Sequence, residues 1–152
     1  MMQIEIKRYT KDRIEDVIQF ENDLRINEDW GWEIDEDYIN KVTVSFEDDS
    51  FSDSVSLLAY VDDKVIGRID SSMIRSHFDG SVKAYLDWIC VLKEYRHNGI
   101  AQKLLNELKM ILKEKGIDTL IALADSSRDA QKFYSRIEDS VMKDTGVWID
   151  LK

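Results

Sequence analysis

Residues Lys83–Lys115 read KAYLDWICVLKEYRHNGIAQKLLNELKMILKEK, and this stretch decides the fold. The apolar run Ala84–Val91 has the length and composition of a buried strand. The polar turn Leu92–Tyr95 follows, and then Arg96-His97-Asn98-Gly99-Ile100-Ala101 opens a helix. In that helix Ile100, Ala101, Leu104, Leu105, Leu108, Ile111 and Leu112 recur three or four apart, which lays one apolar stripe against a sheet. Lys113, Lys115 and Gly116 mark its end. The first turn of such a helix carries backbone N–H groups without intrahelical partners, together with the positive end of the helix dipole. A phosphate is a natural ligand there. Gly99 would let it approach the backbone, Ala101 stays small, and Arg96 brings a permanent positive charge. The spacing Arg-x-x-Gly-x-Ala fits this site and equally a plain steric turn. Neither Gly-x-x-x-x-Gly-Lys-Ser/Thr nor Gly-x-Gly-x-x-Gly is present.

Outward from this stretch, Ile4 and Ile6 alternate with polar neighbours in a short first strand ending near Thr10. A helix with Ile14, Val17, Ile18 and Leu24 on its apolar side follows, capped by Thr10 or Asp12. A second helix after Gly31, capped by Asp35, covers Tyr38, Ile39 and Val42, and Phe46–Asp53 reads as a loop. Ser54–Val61 and Lys64–Ile74 form a hairpin turning at Asp62-Asp63. His77–Ser81 then leads into the Ala84–Val91 strand, the third of an antiparallel meander. Beyond the long helix, Thr119–Leu123 reads as a strand buried on both faces and parallel to its predecessor. Ser126 or Ser127 caps a short helix, Arg128–Ile137, with Ala130, Phe133, Tyr134 and Ile137 turned inward. Val147–Leu151 closes the chain as a last strand.

With 152 residues and 43% hydrophobic content, one domain spanning residues 1–152 accounts for the whole chain. No secretory segment or membrane-length apolar run is present, so the expected location is cytoplasmic, away from membranes. A single cysteine, Cys90, and two histidines leave no disulfide and no metal-ligand spacing. The net charge of −10 argues against nucleic acid as a partner. Nearly all of that excess lies between Glu28 and Asp53, where ten acids face Lys41 alone.

The run Val91-x-x-x-Tyr95-Arg96-x-x-Gly99-Ile100-Ala101-x-x-Leu104-Leu105 resembles the acetyl-CoA-binding motif of the GNAT superfamily of N-acetyltransferases. Ser127-x-x-Ala130-x-x-Phe133-Tyr134 is similar to the family's Asn-x-x-Ala-x-x-Phe-Tyr segment. The resemblance implies the GNAT acyl-CoA N-acyltransferase fold, an α/β (α+β) arrangement with a mixed sheet, an antiparallel meander, a β-α-β crossover and helices on both faces. It implies acetyl-CoA as co-substrate, with the pyrophosphate held by the Arg96–Ala101 loop, including His97, Asn98 and Ile100, and with Ser127 and Phe133 beside it. Backbone groups of Ile89, Cys90 and Val91 would pair with the pantetheine arm like an added strand, a β-bulge there splaying the sheet to admit it. Tyr134 would be the general acid for the departing thiolate, although the residues alone favour a core tyrosine at helical spacing beside Phe133.

For the base the expectation is Asp87. On a regular strand Tyr85, Asp87, Ile89 and Val91 share one face, and a carboxylate beside Leu86 and Trp88 would be partly buried at a cost that packing alone does not repay. A carboxylate paired with a neighbouring Arg or Lys is the alternative. Cys90 reads as a small buried apolar side chain. The acidic segment with Trp30, Trp32, Tyr38, Phe46 and Phe51 suits a cationic acceptor, such as a polyamine, an aminoglycoside-like compound or a basic peptide, through charge and cation–π contact. It also fits a solvated face over core aromatics. Ser127 in place of Asn, and Ile137-Glu138-Asp139 where Gly-Phe is expected, keep a second reading open: an acyl-CoA-binding sensor or interaction module without turnover. A monomer and a homodimer are both compatible with the sequence.

Overall fold

A computed structural model describes residues 2–152. Its frame is a five-stranded sheet in sequential order, with β1 (Glu5–Arg8), β2 (Val55–Val61), β3 (Lys64–Arg75) and β4 (Val82–Val91) antiparallel, and β5 (Leu120–Ala122) parallel to β4. The helices are α1 (Ile14–Glu28), α2 (Glu36–Ser45), α3 (Ile100–Glu114) and α4 (Arg128–Ser135). The mixed sheet, meander and α3 crossover agree with the sequence reading up to α4.

Local chemistry explains the junctions. Asp62 and Asp63 both take positive φ, 47° and 63°, which matches the twist of a two-residue hairpin. Asp35 caps α2 by accepting the Tyr38 N–H at 2.9 Å. At α1 neither Thr10 nor Asp12 is a side-chain cap. A 3-10 turn, Lys11–Arg13, leads into the helix instead, and Thr10 spends its hydroxyl on the Asp12 carboxylate. The loop after α2 contains one further 3-10 turn, Asp49–Phe51.

Leu57, Leu58, Ala59 and Tyr60 are all buried at successive positions of β2, so both faces of the sheet must be covered. α1 supplies Val17, Phe20 and Leu24, and α3 supplies Ile100, Leu104, Leu105, Leu108 and Leu112. Gly67 on β3 permits the closest approach: a Cβ there would lie 3.3 Å from the Cys90 carbonyl oxygen and 3.4 Å from Ile100 Cγ2.

Two expected strands depart from the sequence reading. Thr119–Leu123 is a strand only over Leu120–Ala122, at the sheet's edge, and Ile121 is 39% exposed. Val147–Leu151 forms no strand. An extended segment is held in a sheet by a neighbour that satisfies its backbone groups, and among the described residues no strand lies beside this one.

Candidate active site

The turn expected to bind an anion opens α3 as the sequence reading implies. Between β4 and α3, His97 and Gly99 both adopt left-handed backbone, φ 64° and 75°. The first bond of the α3 ladder runs from the Lys103 N–H to the Gly99 carbonyl at 3.0 Å. The N–H groups of Ile100, Ala101 and Gln102 therefore precede the ladder, free of helical partners. Ile100 is buried and Ala101 half-buried, so these residues offer backbone rather than side chain. A Cβ on Gly99 would meet nothing within 4 Å, which leaves an open cradle over the helix dipole. Asn98 holds the loop by donating from Nδ2 to the carbonyls of Tyr95 and Arg96, each at 3.1 Å. This donor set fits a diphosphate.

Arg96 departs from its expected role as a free cation. Its Nε donates to the Val91 carbonyl at 2.9 Å and its Nη2 pairs with Glu28, so its charge is compensated within the protein. It ties the loop to the end of β4 and to α1.

The strand edge beside this loop is open. β5 ends at Ala122, opposite Leu86, so Asp87–Val91 have β3 on one side and no strand on the other among the described residues. The β-bulge lies earlier than expected: Asp70 pairs with Trp88 but Ser71 with Leu86, which leaves Asp87 as the extra residue. Ile89, Cys90 and Val91 stay in register with Ile69, Arg68 and Gly67. The bulge also breaks the alternation, and Asp87 and Trp88 are both exposed. The expectation of a partly buried Asp87 between Leu86 and Trp88 is therefore corrected. No salt bridge engages its carboxylate among the described residues. Cys90 is half-buried, and burial pushes its thiol up to about 11, which makes it a poor nucleophile.

Asp87 and Trp88 line a cleft of about 770 Å³ between the sheet and the α1–α2 segment. Its aromatic wall includes Trp30, Trp32, Tyr38, Phe46 and Phe51, with Trp88 edge-on to Trp30 at 6.2 Å. Glu47, Asp48 and Asp49 stand at the same cleft. The acidic segment divides. Glu28, Asp37, Glu47 and Asp53 each pair with a base, and Asp35 and Asp48 cap turns, so only part of its charge faces an incoming ligand.

A buried ionic network at the cleft was not anticipated. Glu21 and Arg25 of α1 are 5% and 6% exposed, and Arg25 Nη1 donates to Glu21 Oε2 at 2.5 Å. Arg68 of β3 donates to Glu21 Oε1 at 2.8 Å and, bidentately, to Asp70 at 2.7 and 2.9 Å. Arg25 Cζ lies 3.7 Å from the Trp32 ring centroid. The signal was in the sequence, as an acid–base pair four apart among Val17, Phe20 and Leu24 and another two apart on β3. Tyr9 stands nearby, and burial pushes its phenol well up, against the pull of Arg68.

On the other side of the β4 edge, Ser127 Oγ caps α4 by accepting the Ala130 N–H at 3.2 Å. Phe133 packs against the core, with Tyr134 edge-on to it at 5.3 Å. The Tyr134 phenol is held above its usual value by burial, reinforced by Tyr85 and Asp125. Tyr85 is two residues before Asp87 on β4.

The family described as Acetyltransferase (GNAT) matches residues 15–137. Among solved structures, an aminoglycoside acetyltransferase from an uncultured soil metagenomic sample, in complex with sisomicin, superposes with a TM-score of 0.81 at 18% identity, covering 98% of this chain and 97% of its own. The aminoglycoside antibiotic 6'-N-acetyltransferase AAC(6')-Ih of Acinetobacter baumannii gives 0.74 at 18%, covering 99% of each chain. A ribosomal-protein-alanine N-acetyltransferase from Brucella melitensis biovar Abortus 2308 gives 0.74 at 17%, covering 97% and 99%. At these identities the likeness is one of fold. No curated protein sequence matches the chain.

Proposed function

Because the chain belongs to the acetyltransferase (GNAT) family and is an acetyl-CoA-dependent N-acetyltransferase, we propose that it acetylates a primary amine of a cationic small molecule, aminoglycoside-like or polyamine, or of a basic peptide. The observation that carries this reading is the bulge at Asp87, which sets that residue at an aromatic and acidic cleft on the strand that runs toward the Gly99 cradle.

The chemistry follows from ordinary acid–base values. A primary amine with a pKa of about 10.4 is protonated at neutral pH and must lose a proton before its lone pair can attack the thioester carbonyl. Asp87, exposed at the cleft, would take that proton directly or through a water. As the N–C bond forms and the C–S bond breaks, the departing thiolate takes a proton from the Tyr134 hydroxyl, and the nitrogen sheds its second proton, which returns through water to the tyrosine and leaves a neutral amide. Tyr134 suits this role because a phenol, which ordinarily ionises near pH 10, holds its proton at neutral pH, and burial does not remove it. Orientation of the two substrates in one ternary complex would supply much of the remaining acceleration.

Aminoglycoside acetyltransferases among the structural neighbours make an aminoglycoside the first acceptor to test, with spermidine and a basic peptide beside it. Release of coenzyme A thiol that depends on one of these amines is the expected result. No acceptor-dependent release with any cationic amine, while acetyl-CoA binds, would reject this acceptor class. Tyr134→Phe should lower turnover by about 10²-fold while leaving acetyl-CoA affinity nearly intact, and unchanged turnover would remove Tyr134 as the acid.

A further inference from the structure

Arg25 holds a donor that the protein leaves unused. The residue is 6% exposed, and its Nη1 donates to the Glu21 carbonyl at 2.8 Å and to the Glu21 carboxylate, but its Nε has no hydrogen-bond partner among the described residues. A buried N–H without an acceptor is costly, more so on a charged group. Arg25 lines the same cleft as Asp87. Trp32 lies over its guanidinium, with the ring centroid 3.7 Å from Cζ, and is itself 54% exposed. Trp32 follows Gly31, at which a Cβ would meet nothing within 4 Å, and neither residue makes a backbone hydrogen bond among the described residues. Trp30, by contrast, is packed against the core. The Trp32 indole is therefore a cover that can swing aside while Trp30 stays in place. Charge decides what could take the donor. Glu21 and Asp70 balance Arg25 and Arg68, so the cluster as a whole is neutral. Asp49 and Asp87, which no salt bridge engages among the described residues, stand at the same cleft and repel an anion. An ammonium group offers donors only. What fits is a neutral oxygen, a hydroxyl or an amide carbonyl.

We propose that Arg25 and Trp32 form a subsite that selects acceptors carrying a neutral hydrogen-bond-accepting oxygen beside the amine. Trp32 swings off the guanidinium, the oxygen takes the Arg25 Nε–H, and the indole closes on the ligand in place of the arginine. The donor that is unused in the free protein is then satisfied by the correct substrate, and an amine without the oxygen leaves it buried and unpaired. This inference rests on the cationic-amine reading above and divides its candidates. Hydroxylated amines and peptide amides carry such an oxygen, whereas spermidine carries none.

The test compares matched amines on the full chain, with rates expressed per neutral amine so that differences in basicity drop out. kcat/KM for 1,3-diamino-2-propanol should exceed that for 1,3-diaminopropane by about tenfold, the worth of one hydrogen bond from a charged donor. β-Alaninamide against propylamine poses the same question for a carbonyl, and the pair that shows the preference names the oxygen. Arg25→Lys keeps a positive charge beside Glu21 but removes Nε, and should bring the ratio to about one, a change that a purely structural role would not produce. A second measurement needs neither that variant nor turnover. The Arg25 Nε–H signal of the nitrogen-15-labelled protein should shift with 1,3-diamino-2-propanol and not with 1,3-diaminopropane, and Trp32→Ala, at an exposed side chain, should speed its exchange with water about tenfold. Equal rates within both pairs, a ratio that persists in Arg25→Lys, an Nε–H signal indifferent to both the hydroxyl and the amide ligand, or an exchange rate unchanged by Trp32→Ala would each overturn the subsite. Turnover of none of these amines would count against the cationic-amine reading instead, and the Nε–H signal would then decide the subsite by itself.

Discussion

At the scale of single residues, Gly99 carries the sharpest expectation. Its φ of 75° is a conformation that a Cβ penalises by roughly 1–2 kcal/mol, and the space where that Cβ would sit is the open cradle above α3. Gly99→Ala should therefore act twice. The strain should lower the melting temperature by a few degrees, and the methyl group should weaken acetyl-CoA by about tenfold. Calorimetry with acetyl-CoA and a thermal melt separate the two, and unchanged affinity would mean that the phosphate does not lie over this turn. Gly67 makes the complementary case. There a Cβ would press on Cys90 and Ile100, already packed at 3.3 to 3.4 Å, so Gly67→Val should cost about 1–3 kcal/mol by overpacking, read from urea unfolding.

Among the elements, the pairing of α1 with β3 is the least ordinary. Their contact holds both an apolar cluster and the Glu21–Arg25–Arg68–Asp70 network, and at Arg68 burial opposes the charge while Asp70 and Glu21 more than restore it. Removing one member leaves its partners charged and buried. Arg68→Met should cost about 3–5 kcal/mol in urea unfolding, whereas Lys41→Met, at an exposed pair, should leave the urea midpoint nearly unchanged. Equal effects at the two sites would show that solvent reaches the network. Because Arg25 also lies against Trp32, loss of the network should loosen the acceptor cleft and raise KM for the amine more than for acetyl-CoA.

The same element scale shows what the sequence conveyed. α3, its glycine turn and the Asp62-Asp63 hairpin were legible because they depend on local spacing and backbone conformation. The bulge at Asp87 was not, since it arises from the register of β4 against β3, a relation between residues far apart in the chain. Faces assigned by alternation therefore broke there, and Asp87 emerged exposed. Arg96 was legible as a loop cation but not as the partner of Glu28, 68 residues away. Val147–Leu151 reads as a strand because its pattern is that of a strand; among the described residues no strand lies beside it to make it one.

For the molecule as a whole, buried phenols set the alkaline limit. Burial raises Tyr9, Tyr38, Tyr60 and Tyr134, and at Tyr60 the hydrogen bond donated to Asp16 at 2.8 Å adds to it. A tyrosine in the unfolded chain ionises near pH 10, while these remain protonated in the folded state to higher pH. Above about pH 10 the unfolded state then holds fewer protons, so stability present in full below that value is lost as pH climbs through the folded-state pKa values. The urea midpoint should be level between about pH 7 and 9 and fall beyond about pH 10. Lys64, raised mainly by Asp23, contributes in the same direction, so the phenols must be isolated by substitution. Tyr60→Phe should lower stability at neutral pH by about 1 kcal/mol through loss of the Asp16 bond, yet flatten the alkaline decline because one buried ionising group has gone. An alkaline slope identical to that of the wild type would assign the decline to lysines instead.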